Sequence, residues 1–145
     1  MTDPASGPWV SFAVLCEKTI EDKGGRLTLI NIVDQVNVSA TQDQPAVEQM
    51  PPVQINLVAA VGFKAGILKG QANVKLALVR PNGESGPDIT LSALFQGEER
   101  GTNIITNMNM QINEEGLYWL EVFVQDQLMT RIPLRLAYQR VTFGL

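Results

Sequence analysis

Residues 53–63, VQINLVAAVGF, decide the fold that we predict for this chain. Every second position in this stretch is apolar: Val53, Ile55, Leu57, Ala59, Val61 and Phe63. Successive side chains of an extended strand point to opposite faces, so a period of two predicts a strand with one face in a core. The next segment repeats the pattern with Ala72, Val74, Leu76 and Leu78.

The same alternation recurs at short intervals along the chain. We predict strands at residues 10–20, 27–38, 53–63, 72–78, 89–95, 104–112, 117–124 and 128–136. Turns separate them, as at residues 80–83 (RPNG), where Pro presets one φ angle and Asn-Gly favours left-handed backbone. About eight short strands predict an all-β fold, an antiparallel β-sandwich or a barrel.

A long segment without periodicity, residues 40–52, favours the sandwich over the barrel. It is rich in Gln and Pro and suits a crossover between two sheets. A short helical turn around residues 46–49 is compatible with its sequence. Pro51 and Pro52 would end such a turn and start the next strand.

Composition indicates one soluble domain. A chain of 145 residues that is 45% apolar can fill a single core, so we expect a flexible lead over residues 1–9 and one domain over residues 10–145. The net charge of -4 argues against nucleic-acid and membrane-surface partners. The first residues lack the basic and apolar regions of a secretion signal, and every apolar run is too short to span a bilayer. We therefore expect a cytoplasmic protein.

The residue types that carry most catalysis and metal binding are scarce. The chain has no His and one Cys, Cys16, which shares its parity with Val10, Phe12 and Val14 and is predicted to be a buried small hydrophobe. We assign no catalytic residue, metal or cofactor. Acidic pairs in three predicted turns could bind calcium if the turns met, although hydrated turns are the simpler interpretation: Glu21/Asp22, Glu98/Glu99 and Glu114/Glu115.

Several segments resemble those of a known family. They are LCE at residues 15–17, GRLTLINIVD at 25–34, LVRPNG at 78–83, GLY at 116–118 and PLRL at 133–136. They are similar to an uncharacterised bacterial family of domains of unknown function, made of single β-sandwich domains. The resemblance covers most of the chain and implies an immunoglobulin-like or C2-like sandwich. It implies no activity.

An aromatic surface is the strongest functional signal. In the predicted strand 117–124, Tyr118, Leu120, Val122 and Val124 form the core face, which leaves Trp119 and Phe123 on the opposite face. Val141 and Phe143 alternate in the same way near the end of the chain. One hypothesis is that Trp119, Phe123, Val141 and Phe143 form a protein contact, such as a homodimer interface. The alternative is that the tail or the crossover folds over this face within one chain.

Basic residues offer a weaker signal. Lys75, Arg131, Arg135 and Arg140 could form a basic face, but outward-facing residues that discourage edge pairing explain them as well. We therefore predict a non-catalytic interaction domain that binds another protein or itself. A small-ligand or carbohydrate-binding module, with Trp9 or Trp119 as a stacking platform, is the alternative. An enzyme that uses carboxylates alone ranks last.

Overall fold

Two long strands that form one hairpin organise the molecule. The computed structural model describes residues 6–39 and 50–139. The strands in these ranges are β1 (Trp9–Glu21), β2 (Leu27–Ile32), β3 (Gln35–Ser39), β4 (Val53–Val79), β5 (Ser85–Ile112), β6 (Gly116–Val124) and β7 (Gln127–Gln139). None of the described residues belongs to a helix long and apolar enough to cross a membrane.

The long hairpin is divided near its middle by bulges. The register of β4 and β5 shifts on both sides of Gly66, whose φ is +62°, and Gly97 has a φ of +84°. Bulges of this kind bend a strand and increase its twist. One half of the hairpin joins β1 and β2, and the other half joins β6, β7 and β3.

The two halves form the layers of a sandwich around one core. Layer 1 contains β2, β1, the first half of β4 and the second half of β5; layer 2 contains the first half of β5, the second half of β4, then β6, β7 and β3. Side chains from both layers belong to one apolar cluster. The rings of Phe63 and Phe95 meet edge to face in this core, with centroids 5.9 Å apart.

A buried tyrosine at the start of β6 forms a hydrogen bond with the turn before the strand. The hydroxyl of Tyr118 donates a hydrogen bond of 2.6 Å to the carbonyl of Glu114, and burial raises the pKa of this phenol. A tyrosine near the start of a strand that bonds to backbone a few residues upstream also occurs in immunoglobulin-like sandwiches. The all-β sandwich that the alternation predicted is confirmed.

The predicted strand at residues 27–38 is in fact two strands in different layers. The Val33 N–H donates to the Leu15 carbonyl in layer 1, and the Asp34 carbonyl accepts from the Arg135 N–H in layer 2. The chain therefore changes layers at these two residues. It continues as β3, which pairs with β7 in parallel, so this pair departs from the antiparallel arrangement of the other pairs among the described strands.

Two further predicted breaks are also wrong. Residues 53–63 and 72–78 belong to β4, and residues 89–95 and 104–112 belong to β5, whose predicted turn at 97–101 is a bulged part of the strand. The turn at residues 80–83 is confirmed, since the Gly83 N–H donates to the Arg80 carbonyl. Most of the predicted crossover and its helical turn lie at residues 40–49, outside the described residues.

The N-terminal boundary differs slightly from the predicted one. Trp9, assigned above to the lead, is the first residue of β1. The Ile67 N–H donates a hydrogen bond of 2.8 Å to the Ser6 carbonyl, so the end of the lead contacts the bulge of β4. Residues 1–5 lie outside the described residues.

Candidate functional site

The aromatic residues of β6 lie on the outer face of layer 2, as predicted. Tyr118, Leu120, Val122 and Val124 are buried, whereas Trp119 and Phe123 are half-buried on the opposite side. Strand register places Trp119 between Val79 and Pro133, and Phe123 between Lys75 and Leu128. Four residues along a strand separate the two aromatic side chains by about 13 Å. We call this surface, from Trp119 to Phe123, the aromatic face.

Charged side chains divide and cover the aromatic face. Glu121 lies between the two aromatic residues, and its Oε2 accepts a hydrogen bond of 3.1 Å from Arg131 Nε. The Lys75 ammonium lies 4.9 Å from the centroid of the Phe123 ring, within the range of a cation–π interaction. Lys75 and Arg131 thus have partners on this face. Arg140 lies outside the described residues, as do Val141 and Phe143.

A shallow hollow lies beside Trp119. It has a volume of about 320 Å³ and is lined by Val79, Gly83, Ser85, Trp119, Glu121 and Arg131. An indole next to a carboxylate and a guanidinium could stack on a flat polar ligand and donate to its oxygens. Trp9, the other predicted platform, packs its ring against Gly7.

The outer face of layer 1 carries an apolar patch that the sequence analysis did not predict. Register places Ile32, Cys16 and Val58 in one row across three strands, and Val14, Ala60 and Ile105 in the next. Phe12 lies in the third row, with its ring on Gly62. We call these seven residues the layer 1 patch: Phe12, Val14, Cys16, Ile32, Val58, Ala60 and Ile105.

The layer 1 patch has a sealed centre and exposed apolar ends. Cys16 and Ala60 are 0% exposed although neither belongs to the core cluster, whereas Ile32 is 62% and Ile105 is 38% exposed. Exposed amide side chains border the patch along β4 and β5: Asn56, Asn103, Asn107 and Asn109. Glu17 also borders the patch, in a hollow that it shares with Val58 and three of these amides. An apolar centre with a polar rim is typical of protein interfaces.

The prediction that Cys16 faces the core is wrong, because its side chain belongs to the outer face of layer 1. Cys16, Phe12 and Val14 were expected in the core, but the register of β1 shifts between Val10 and Phe12, and Ala13 and Leu15 face the core instead. Both parities of β1 are apolar, so the pattern alone did not decide between them. The apolar even positions Val58, Ala60 and Gly62 were the signal of a second covered face.

Cys16 is nonetheless buried, as predicted. Burial raises the pKa of its thiol, and its Sγ lies 3.6 Å from the Lys18 carbonyl, to which it donates weakly. A raised pKa leaves little thiolate near neutral pH. Cys16 is therefore part of the surface packing of layer 1.

The acidic turns do not form one site. The Asp22 Oδ1 accepts from the backbone N–H groups of Arg26 and Gly24, and its Oδ2 accepts from Arg26 Nε. These contacts, the Arg26 N–H first among them, hold the pKa of Asp22 below its usual value. Within residues 6–39 and 50–139, no three His, Cys, Asp or Glu side chains come close enough to hold a metal ion.

A family model covers nearly all of the domain. Residues 11–137 match the Family of unknown function (DUF6941). The chain belongs to this family. The resemblance to a family of unknown function is thus confirmed. No curated protein matches the sequence.

Solved structures with some similarity come from several organisms. The CARDB domain of a Pyrococcus furiosus protein, in complex with di-metal ions, is 14% identical with a TM-score of 0.42, over 94% of this chain and 99% of that one. An immunoglobulin-like protein from Pseudomonas aeruginosa is 12% identical with a TM-score of 0.41, over 91% and 98%. The Pseudomonas fluorescens alkylpurine DNA glycosylase AlkC, bound to DNA with an abasic site analog, is 10% identical with a TM-score of 0.42, over 86% of this chain and 30% of that one. At these TM-scores the similarities carry no conclusion about this chain.

Proposed function

We propose that this DUF6941 domain is a non-catalytic interaction module that engages another protein, or a second copy of itself, through the outer face of layer 1. The observation that carries the proposal is the layer 1 patch, in which Ile32 and Ile105 remain exposed beside an apolar centre. Covering such a patch removes apolar surface from water, which stabilises a complex by about 25 cal/mol per Å². Its amide rim can donate hydrogen bonds to a partner and accept them from it.

The electrostatics of the two faces favour layer 1 over the aromatic face. A partner that covers Trp119 and Phe123 would also desolvate the Glu121–Arg131 ion pair and the Lys75 ammonium. In layer 1 the charged residues beside the patch, Glu17 and Lys18, lie beyond the row of Ile32, Cys16 and Val58 and not between its apolar side chains. The prediction that Trp119, Phe123, Val141 and Phe143 form an interaction surface stays a second, less supported form of the same proposal.

Matched pairs of surface substitutions test this function. Ile32→Ser with Ile105→Ser removes the exposed ends of the layer 1 patch, and the control Leu94→Ser with Leu128→Ser removes side chains that are 50% and 40% exposed on the other layer. Immobilised wild type and control are expected to retain the same protein from a native extract, or to self-associate, and the patch variant to lose both. Equal binding by all three proteins would contradict the choice of surface. If wild type binds no protein and stays monomeric, the proposed function is wrong.

A small-ligand module is the second candidate, because the hollow beside Trp119 combines an indole with Glu121 and Arg131. In a Trp9→Phe background, Trp119 is the remaining indole and reports binding by fluorescence. A saturable change with a simple sugar or small anion, lost in Arg131→Met, supports this candidate. An unchanged spectrum across such ligands contradicts it.

The origin of the protein, its location and the partners that it lacks stay predictions and are part of this proposal. Bacterial origin, a cytoplasmic location and the absence of nucleic-acid and membrane partners rest on the resemblance, the net charge and the sequence pattern. A carboxylate-based enzyme remains the last choice.

A further inference from the structure

The second half of β5 presents a bare strand edge in layer 1. β5 pairs with β4 along nearly its whole length, and no described residue pairs with its other side. In an antiparallel pair, about half of the backbone N–H and C=O groups of an edge strand point away from its neighbour. Between residues 101 and 112 these groups form a template for a further strand.

This edge lacks the usual protection against pairing. Residues 101–113 contain no charged residue and no proline. The first half of β5, in layer 2, contains Pro87 and Asp88, and the bulge between the halves contains Glu98, Glu99 and Arg100. The other edge strands are short: β2 has six residues, including Asn31 with a φ of +54°, and β3 has five. These are edges formed by residues 6–39 and 50–139.

The side chains of this edge are complementary to themselves. Its core-facing positions are apolar except for Thr102 and Thr106, and most of its outward positions are neutral amides: Asn103, Asn107, Asn109 and Gln111. In an antiparallel pairing of two β5 strands, outward positions can lie opposite outward positions. Each amide then lies opposite another amide, Ile105 or Gly101. Amides can donate to and accept from one another, and no like charges meet.

We infer that residues 101–112 of β5 pair antiparallel with the same residues of a second copy of this chain, about a two-fold axis. Layer 1 of one protomer then continues into layer 1 of the other. Two-fold pairing uses the same patch on both copies, as closed dimers require. Because β5 also contributes Ile105 to the layer 1 patch, the two patches become parts of one continuous sheet face. The inference goes beyond the proposed function, since it assigns a strand edge and names its occupant.

A charge on the edge tests the inference. Asn107→Lys places an ammonium on an exposed position of β5, and Asn37→Lys makes the same change on the edge strand β3 of layer 2. Sedimentation is expected to show a dimer for wild type and Asn37→Lys and a monomer for Asn107→Lys. Circular dichroism checks that each variant keeps its strand content. A monomeric wild type, or a dimer that persists in Asn107→Lys, overturns the inference.

A second measurement reports the pairing itself. In a Cys16→Ala background, Asn103→Cys, Asn107→Cys and Asn109→Cys are oxidised separately. The inference predicts an inter-chain disulfide at the positions nearest the two-fold axis, where Cβ atoms approach within about 4.5 Å. If none of them cross-links above the level of Asn37→Cys, the inference is wrong. A third outcome separates the inference from the proposed function. If wild type is monomeric and retains a protein from a native extract that Asn107→Lys does not retain, the edge pairs with a strand of that protein. The inference is then wrong and the proposed function stands.

Discussion

The two outer faces of this sandwich manage their apolar side chains in different ways. On the aromatic face, the Lys75 ammonium covers the Phe123 ring, and Glu121 pairs with Arg131 between the two aromatic residues. On layer 1, small residues are sealed in the middle of the patch, and isoleucines project at its ends. The first face is covered by its own charges, whereas the second has apolar ends without such cover. This difference locates the proposed contact in layer 1.

Thiol reactivity should separate the sealed centre from the exposed end of the layer 1 patch. Cys16 is 0% exposed and its pKa is raised, whereas Ile32, its neighbour in the same row, is 62% exposed. Ile32→Cys in a Cys16→Ala background should therefore react with a thiol reagent at least about 100-fold faster than Cys16 in the native wild type. Comparable rates would show that the centre of the patch is open to solvent, and the contrast between the faces would weaken.

The packing of Phe12 on Gly62 should make layer 1 sensitive to one added methyl group. A Cβ at residue 62 would collide with the Phe12 ring, so Gly62→Ala should lower the free energy of unfolding by about 1–3 kcal/mol. The control Ala77→Val adds two methyl groups to the half-buried outer face of β4 in layer 2 and should change it by less than about 0.5 kcal/mol. Urea denaturation measures both. Equal losses would indicate that the two faces are packed alike.

The cover over Phe123 should contribute the smallest effect. Lys75→Met keeps most of the apolar stem and removes the ammonium above the ring. We expect a loss of about 0.5 kcal/mol in the free energy of unfolding, and a Phe123→Leu background should reduce that loss. A double-mutant cycle with no coupling between the two residues would show that the ammonium does not stabilise this face.

Sequence reasoning predicted the fold class, the turn at residues 80–83 and the two faces of β6, because each had an unambiguous local pattern. In β6 the core parity carries no charge and the other parity includes Glu121. It failed on β1, where both parities are apolar and a bulge after Val10 changes the face. A period of two predicts alternation, but it does not predict where a register shift occurs.

The remaining errors have a similar origin in long-range pairing. The alternation through residues 27–38 is continuous, yet the chain changes layers at Val33 and Asp34 because each half pairs with a different strand. The glycines of β4 and β5 resemble turn signals, but here they permit bulges within one long hairpin. The layer 1 patch was missed for the same reason, since its three rows combine residues from four strands.

Hydrogen exchange at two protein concentrations tests most directly whether two copies of the chain contact each other through layer 1. The backbone N–H groups of residues 101–112 that point away from β4 should exchange slowly in concentrated protein and faster on dilution, because pairing with a second copy protects them. Amides of β3, the edge of layer 2, should exchange at the same rate in both samples. Exchange in residues 101–112 that does not depend on concentration, or protection that arises in β3 instead, would contradict the account.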